Sequence, residues 1–93
     1  MPELTALIQN AQLGGYNDIN ARLWTAAFDG HTAAVHALAA AGADVNWQEE
    51  NYGSTPVSAA SQEGHIDCVK LLIQHGAEVD IRTNTGATAL YWL

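Results

Sequence analysis

The chain repeats itself at a fixed spacing, and this periodicity constrains its fold more than any single residue does. When the sequence is shifted by 34 residues, identical residues coincide at eight positions of the repeat. These pairs are Ala26/Ala60, Gly30/Gly64, His31/His65, Val35/Val69, Leu38/Leu72, Gly42/Gly76, Ala43/Ala77 and Val45/Val79. A third copy begins at an offset of 33, where Asn51, Gly53 and Thr55 coincide with Asn84, Gly86 and Thr88. Such a period is typical of stacked repeats, which expose an extended surface and rarely enclose a reaction.

The second copy predicts two short helices separated by a tight turn. Thr55 is a suitable N-cap and Pro56 suits the first helical position, so a helix is expected to follow and to end near Gly64. Apolar residues then recur at helical spacing and predict a second helix from Ile66 to about His75. The first copy follows the same plan, with helices expected over residues 23–27 and 32–41.

These copies predict one continuous array over residues 1–93. We expect an N-terminal capping helix over 1–16, a first repeat over 17–48, a second over 49–82 and a partial third over 83–93. One extra residue lies between Asn46 and Gly53, compared with the interval from Asp80 to Gly86. It predicts a longer projecting turn between the first two copies.

Composition narrows the classes of partner. The chain has ten acidic residues and only three Lys and Arg, with a net charge of −7. Phosphate contacts need a basic stripe, so nucleic acid and anionic membranes are not expected partners. The acidic balance serves either solubility or the attraction of a partner with a basic patch. The single cysteine and the absence of a basic and apolar N-terminal signal predict an intracellular location.

No pattern in the sequence predicts catalysis, and neither a cofactor nor a metal is expected. His31 and His65 occupy equivalent repeat positions, which favours a structural role at the turn between helices. Cys68 corresponds to Ala34 of the first copy and is interpreted as a packing residue, although pairing with His65 is the catalytic alternative. The histidines lack the spacing of zinc ligands.

Several motifs together resemble the ankyrin repeat. They are Gly-Ser-Thr-Pro-Val at 53–57, Gly-His at 30–31 and 64–65, and Gly-Ala-Asp-Val-Asn at 42–46, and the likeness covers about residues 17–93. The resemblance implies an all-α solenoid of helix pairs with projecting β-hairpin or turn fingers. It also implies a non-catalytic module that binds a partner protein on the surface formed by fingers and first helices. The family's usual Thr-Pro-Leu-His histidine is replaced here by Trp24, Ser58 and Tyr91, so its hydrogen bonds between repeats are missing or replaced.

The resemblance implies which repeat positions vary, and these positions, together with a large aromatic residue on the projecting turn (Trp47), predict the partner-binding residues. They are Phe28, Asp29, Trp47, Asn51, Tyr52, Ser54, Gln62, Glu63, Asn84 and Thr85. Trp47 could contact the partner or pack onto the neighbouring finger, and both interpretations stay open. The apolar residues 89–93 lack a polar outer face and favour a fragment of a longer array, so an architectural spacer is the alternative function.

Overall fold

The computed structural model describes residues 17–84 together with Gly86 and Thr88. Four α-helices and no strand occur in this part of the chain. They are α1 (Asn17–Asp29), α2 (Thr32–Ala40), α3 (Pro56–Gln62) and α4 (Ile66–Gln74). Helix α1 packs against α2 and α3 against α4, and the two pairs stack through α1 on α3 and α2 on α4. The expected all-α array of helix pairs is therefore confirmed.

Helix α3 begins as the sequence predicted. Thr55 has extended backbone angles, and its Oγ1 accepts a hydrogen bond from the Ser58 amide at 3.2 Å. Pro56 occupies the first helical position, where a missing N–H leaves no bond unmade. Because the residue before a proline avoids helical angles, Pro56 also fixes where the helix starts.

Helix α1 is longer than the sequence predicted, since it begins at Asn17 instead of Leu23. The first copy has Ala21 and Arg22 where the second has Thr55 and Pro56, and both are good helix formers. Nothing therefore interrupts the helix ahead of Leu23. Helices α2 and α4 each end one residue earlier than expected, with Ala41 and His75 as their C-caps.

The core lies between the two helix pairs. Leu23, Val35, Val57, Cys68 and Leu72 are fully buried and come from all four helices. The capping helix expected over residues 1–16 lies outside the described residues, as does most of the partial repeat expected over 83–93. Among the helices described, none combines the length and the apolarity that crossing a bilayer requires.

Candidate binding surface

The segment between α2 and α3 projects as an ordered turn, which we call the finger (residues 47–54). The Glu49 amide donates to the Ser54 carbonyl at 2.9 Å, and the Gly53 amide donates to the Glu49 carbonyl at 2.9 Å. The Glu49 carboxylate accepts from the amides of Asn51 and Tyr52 within the same turn. The Glu49 side chain thus accepts hydrogen bonds from backbone amides that would otherwise have to bond to water.

The extra residue lengthens this turn as predicted. Gly53 closes it with a bond to the carbonyl four residues earlier, Glu49. At the equivalent place in the next copy, the Gly86 amide donates to Thr83, three residues earlier, at 2.9 Å. The finger is therefore one residue wider than its neighbour. Since Asn51, Tyr52 and Gly53 correspond to Asn84, Thr85 and Gly86, the added residue lies before Asn51.

The finger is also tied to the next copy. Gln48 Nε2 donates to the Gly53 carbonyl at 2.9 Å and to the Arg82 carbonyl at 3.1 Å. The Asn84 amide donates to the Tyr52 carbonyl at 2.6 Å, and Asn84 Nδ2 donates to the Asn51 carbonyl at 3.2 Å. These bonds hold the backbone on both sides of the Tyr52 side chain.

The partner-binding residues expected from the sequence differ in how much surface they offer. Tyr52 is 65% exposed and Phe28 is 38% exposed. Asp29, Asn51, Gln62, Glu63 and Asn84 are also exposed, while Trp47 is half-buried. Ser54 is buried, and its Oγ donates to the Thr55 carbonyl, so it shapes the finger and offers little surface. Thr85 lies outside the described residues.

Phe28 is held in place near the C-terminal end of α1. Its ring stacks on Trp24, with centroids 5.3 Å apart and planes 18° from parallel. The Phe28 carbonyl accepts a hydrogen bond from His65 Nε2 at 3.0 Å, across the boundary between repeats. The predicted structural role is confirmed for His65, while His31 is exposed. Trp24 was missed as a contributor, although its spacing of four residues from Phe28 on one helix could have indicated it.

The indole N–H group of Trp24 is buried, and none of the residues that the structure describes forms a hydrogen bond with it. A buried donor left without a partner costs about 1–3 kcal/mol. The stack with Phe28 offsets part of that cost, since an aromatic pair contributes about 0.5–1.5 kcal/mol beyond its buried area.

Cys68 and His65, the pair considered for catalysis, each contact the preceding copy. Cys68 is buried, with its Sγ 3.5 Å from Thr32 Oγ1 of the preceding copy. His65, the alternative partner of the thiol, directs its Nε2 to the Phe28 carbonyl instead. Within the described residues no group of three or more His, Cys, Asp or Glu side chains is placed to hold a metal ion.

Comparison with known proteins identifies the repeat type. A sequence model described as "Ankyrin repeats (3 copies)" matches residues 23–93. The fission-yeast "Ankyrin repeat-containing protein P1E11.10" from Schizosaccharomyces pombe is 39% identical over 74% of this chain and 33% of its own length. The mouse "2-5A-dependent ribonuclease" is 42% identical over 63% of the chain and 8% of its own length. The human "Ankyrin repeat and KH domain-containing protein 1" is 51% identical over 57% of the chain and 2% of its own length. The chain thus spans a third or less of these relatives.

Proposed function

Since the chain belongs to the ankyrin-repeat family, whose members generally mediate protein–protein interaction without catalysis, we propose that it binds a partner protein through the finger and the first helices. The observation that carries this proposal is Tyr52, a large aromatic side chain that is mostly exposed on a hydrogen-bonded finger. Tyrosine and tryptophan are the residues most enriched at the energetic centres of interfaces.

Rigidity of the finger supports the same proposal. The bonds from Glu49, Gln48 and Asn84 fix the backbone that carries Tyr52 before any partner arrives. A partner therefore need not order the loop, and less of the interaction free energy is lost on binding. Trp47, the half-buried first residue of the finger, is proposed as the second contact.

Phe28 and the acidic side chains extend the proposed surface. The Phe28 ring is partly exposed and cannot turn away freely, because it stacks on Trp24. Asp29 is the last residue of α1 and Glu63 is the C-cap of α3, and both are exposed, as is Glu50 of the finger. In a chain with a net charge of −7, these groups favour a partner with a basic patch and accelerate its approach at low salt.

The proposal is tested with the double variant Trp47→Ala/Tyr52→Ala. A partner is first captured from lysate on the full chain, purified, and titrated by calorimetry against the wild type and the variant. If both aromatics are energetic centres, the affinity falls by about 2–4 kcal/mol. Circular dichroism confirms that the variant remains folded.

Ile73→Ala is the matched control, since Ile73 is an exposed apolar residue on α4 and lies outside the proposed surface. It should bind like the wild type. Equal affinity of the double variant and the wild type, or a loss confined to Ile73→Ala, would refute the assignment of the surface.

A second candidate function, an architectural segment of a longer array, rests on the outer face of α4. Ile66 and Ile73 are 50% and 47% exposed and lie seven residues apart on one side of that helix. Ile66 is the equivalent of Thr32, and Thr32 contacts Cys68 of the following copy. By the same stacking rule, a further helix pair would cover Ile66.

The two functions differ in what the isolated chain does. A binding module captures its partner alone, whereas a spacer captures nothing until further repeats are attached. Capture by the isolated chain and by the parent protein, compared side by side, separates them.

A further inference from the structure

Two histidines from different copies meet on the outside of the stacked second helices. His36 lies on α2 and His75 is the C-cap of α4. His75 Nε2 lies 3.3 Å from His36 Nδ1, and the ring centroids are 5.4 Å apart with planes inclined by 52°. The residues are 39 apart in sequence, so no short spacing motif indicates the pair.

The backbone beneath this pair is fixed by the core. Val35, which precedes His36, is fully buried, and so is Leu72, one turn before His75. The His75 amide donates to the carbonyls of Leu71 and Leu72 at 3.1 Å each. Because α2 and α4 pack directly on each other, the backbone positions of the two histidines are fixed relative to each other without any help from a ligand.

The spacing of the nitrogens fits a shared metal ion. Two imidazole nitrogens bound to one tetrahedral Zn²⁺ at about 2.0–2.1 Å are separated by about 3.3–3.4 Å. His36 Nδ1 and His75 Nε2 already stand at 3.3 Å. Small ring rotations would direct both lone pairs to one point, with no movement of the helices.

We propose that His36 and His75 form a two-imidazole site for a divalent transition-metal ion such as Zn²⁺ or Ni²⁺. Imidazole is a preferred ligand of these ions. In the metal-free protein the two facing ring nitrogens are within hydrogen-bonding distance of each other. When both bind the metal, the proton between them moves to the other nitrogen of its own ring. The net charge of −7 raises the local concentration of cations around the chain.

The remaining coordination positions are left to water or to an outside ligand. No third His, Cys, Asp or Glu joins the pair within the described residues. The site is therefore open, with the affinity of a two-ligand site. It lies on the second helices and shares no residue with the proposed docking surface.

The test is calorimetric titration of ZnCl₂ and NiCl₂ into the tag-free full chain, with histidine ring resonances followed by NMR. One equivalent should bind, and the rings of His36 and His75 should shift together. Removal of a residue that only supports a metal ligand typically weakens binding about 10–100-fold. His36→Ala and His75→Ala each remove a ligand itself and should weaken binding at least tenfold.

His31→Ala is the matched control, because His31 is exposed and caps α2 without a side-chain hydrogen bond. It should retain the wild-type affinity, and circular dichroism verifies that every variant is folded. The proposal is overturned if neither metal binds at millimolar concentration, if both folded single variants bind as the wild type does, or if His31→Ala loses binding equally.

Discussion

At the residue scale, His65 connects the two copies most directly. Its Nε2 bonds to the Phe28 carbonyl, and its ring occupies the space beside Gly30. A Cβ added at Gly30 would lie 2.7 Å from His65 Nδ1, closer than such atoms approach in proteins. The His65 ring therefore fits beside residue 30 because glycine has no side chain there.

Gly30 and Gly64 provide a matched comparison for this contact. Their φ angles are 78° and 77°, so alanine at either position costs about 1–2 kcal/mol from the left-handed backbone alone. Of these two glycines, Gly30 alone has a neighbour within 4 Å of the added Cβ among the described residues. Gly30→Ala should displace the His65 ring and lose about 1 kcal/mol more than Gly64→Ala, measured by urea denaturation.

A third variant checks that the difference comes from His65. On the background His65→Ala the two glycine substitutions should become equally destabilising. If Gly30→Ala remains the worse of the two on that background, the contact with His65 is not the cause.

Sequence periodicity predicted part of this arrangement. The equivalence of His31 and His65 indicated a structural role but not the bond partner. Phe28 lies 37 residues from His65, and only the stacking of the copies brings them together. The pair His36 and His75 escaped prediction for the same reason.

At the element scale, the finger depends on one carboxylate. The Glu49 carboxylate accepts hydrogen bonds from the amides of Asn51 and Tyr52, whereas the adjacent Glu50 is exposed. The two acids are adjacent and of the same type in the sequence. Their difference arises from the turn geometry, which residue type alone does not specify.

Glu49→Ala should loosen the finger. Loss of hydrogen bonds to a charged acceptor is expected to cost about 1 kcal/mol at this partly exposed site. Hydrogen exchange at the amides of Asn51 and Tyr52 should accelerate, because these amides lose their acceptor.

Glu50→Ala removes the same charge from the neighbouring position and serves as the control. Its exchange rates should match those of the wild type. Equal acceleration in both variants would mean that charge, and not the hydrogen bonds of Glu49, orders the turn.

At the scale of the whole molecule, the two helix pairs share one core. Leu72 on α4 is fully buried in the same cluster as Leu23 of α1 and Val35 of α2. The helix pairs were predictable from glycine spacing and apolar periodicity. The start of α1 was not, because Ala21 and Arg22 provide no residue that marks where a helix begins.

Leu72→Ala should therefore destabilise both copies together. Its cost is expected to be about 2–5 kcal/mol, a large part of the stability of a small domain. Circular dichroism and tryptophan fluorescence should report one coincident transition. The neighbouring Ile73→Ala, at a half-exposed position, should cost far less. Separate transitions for the two probes would show that the copies fold independently.

The proposed surface exists only if the copies stack in this register, and one NMR measurement tests that directly. The structure places the His65 ring against Gly30 of the preceding copy. A strong nuclear Overhauser effect between His65 Hε1 and the Gly30 α-protons is the predicted result. Its absence, with the His65 ring showing contacts only within its own copy, would contradict the account.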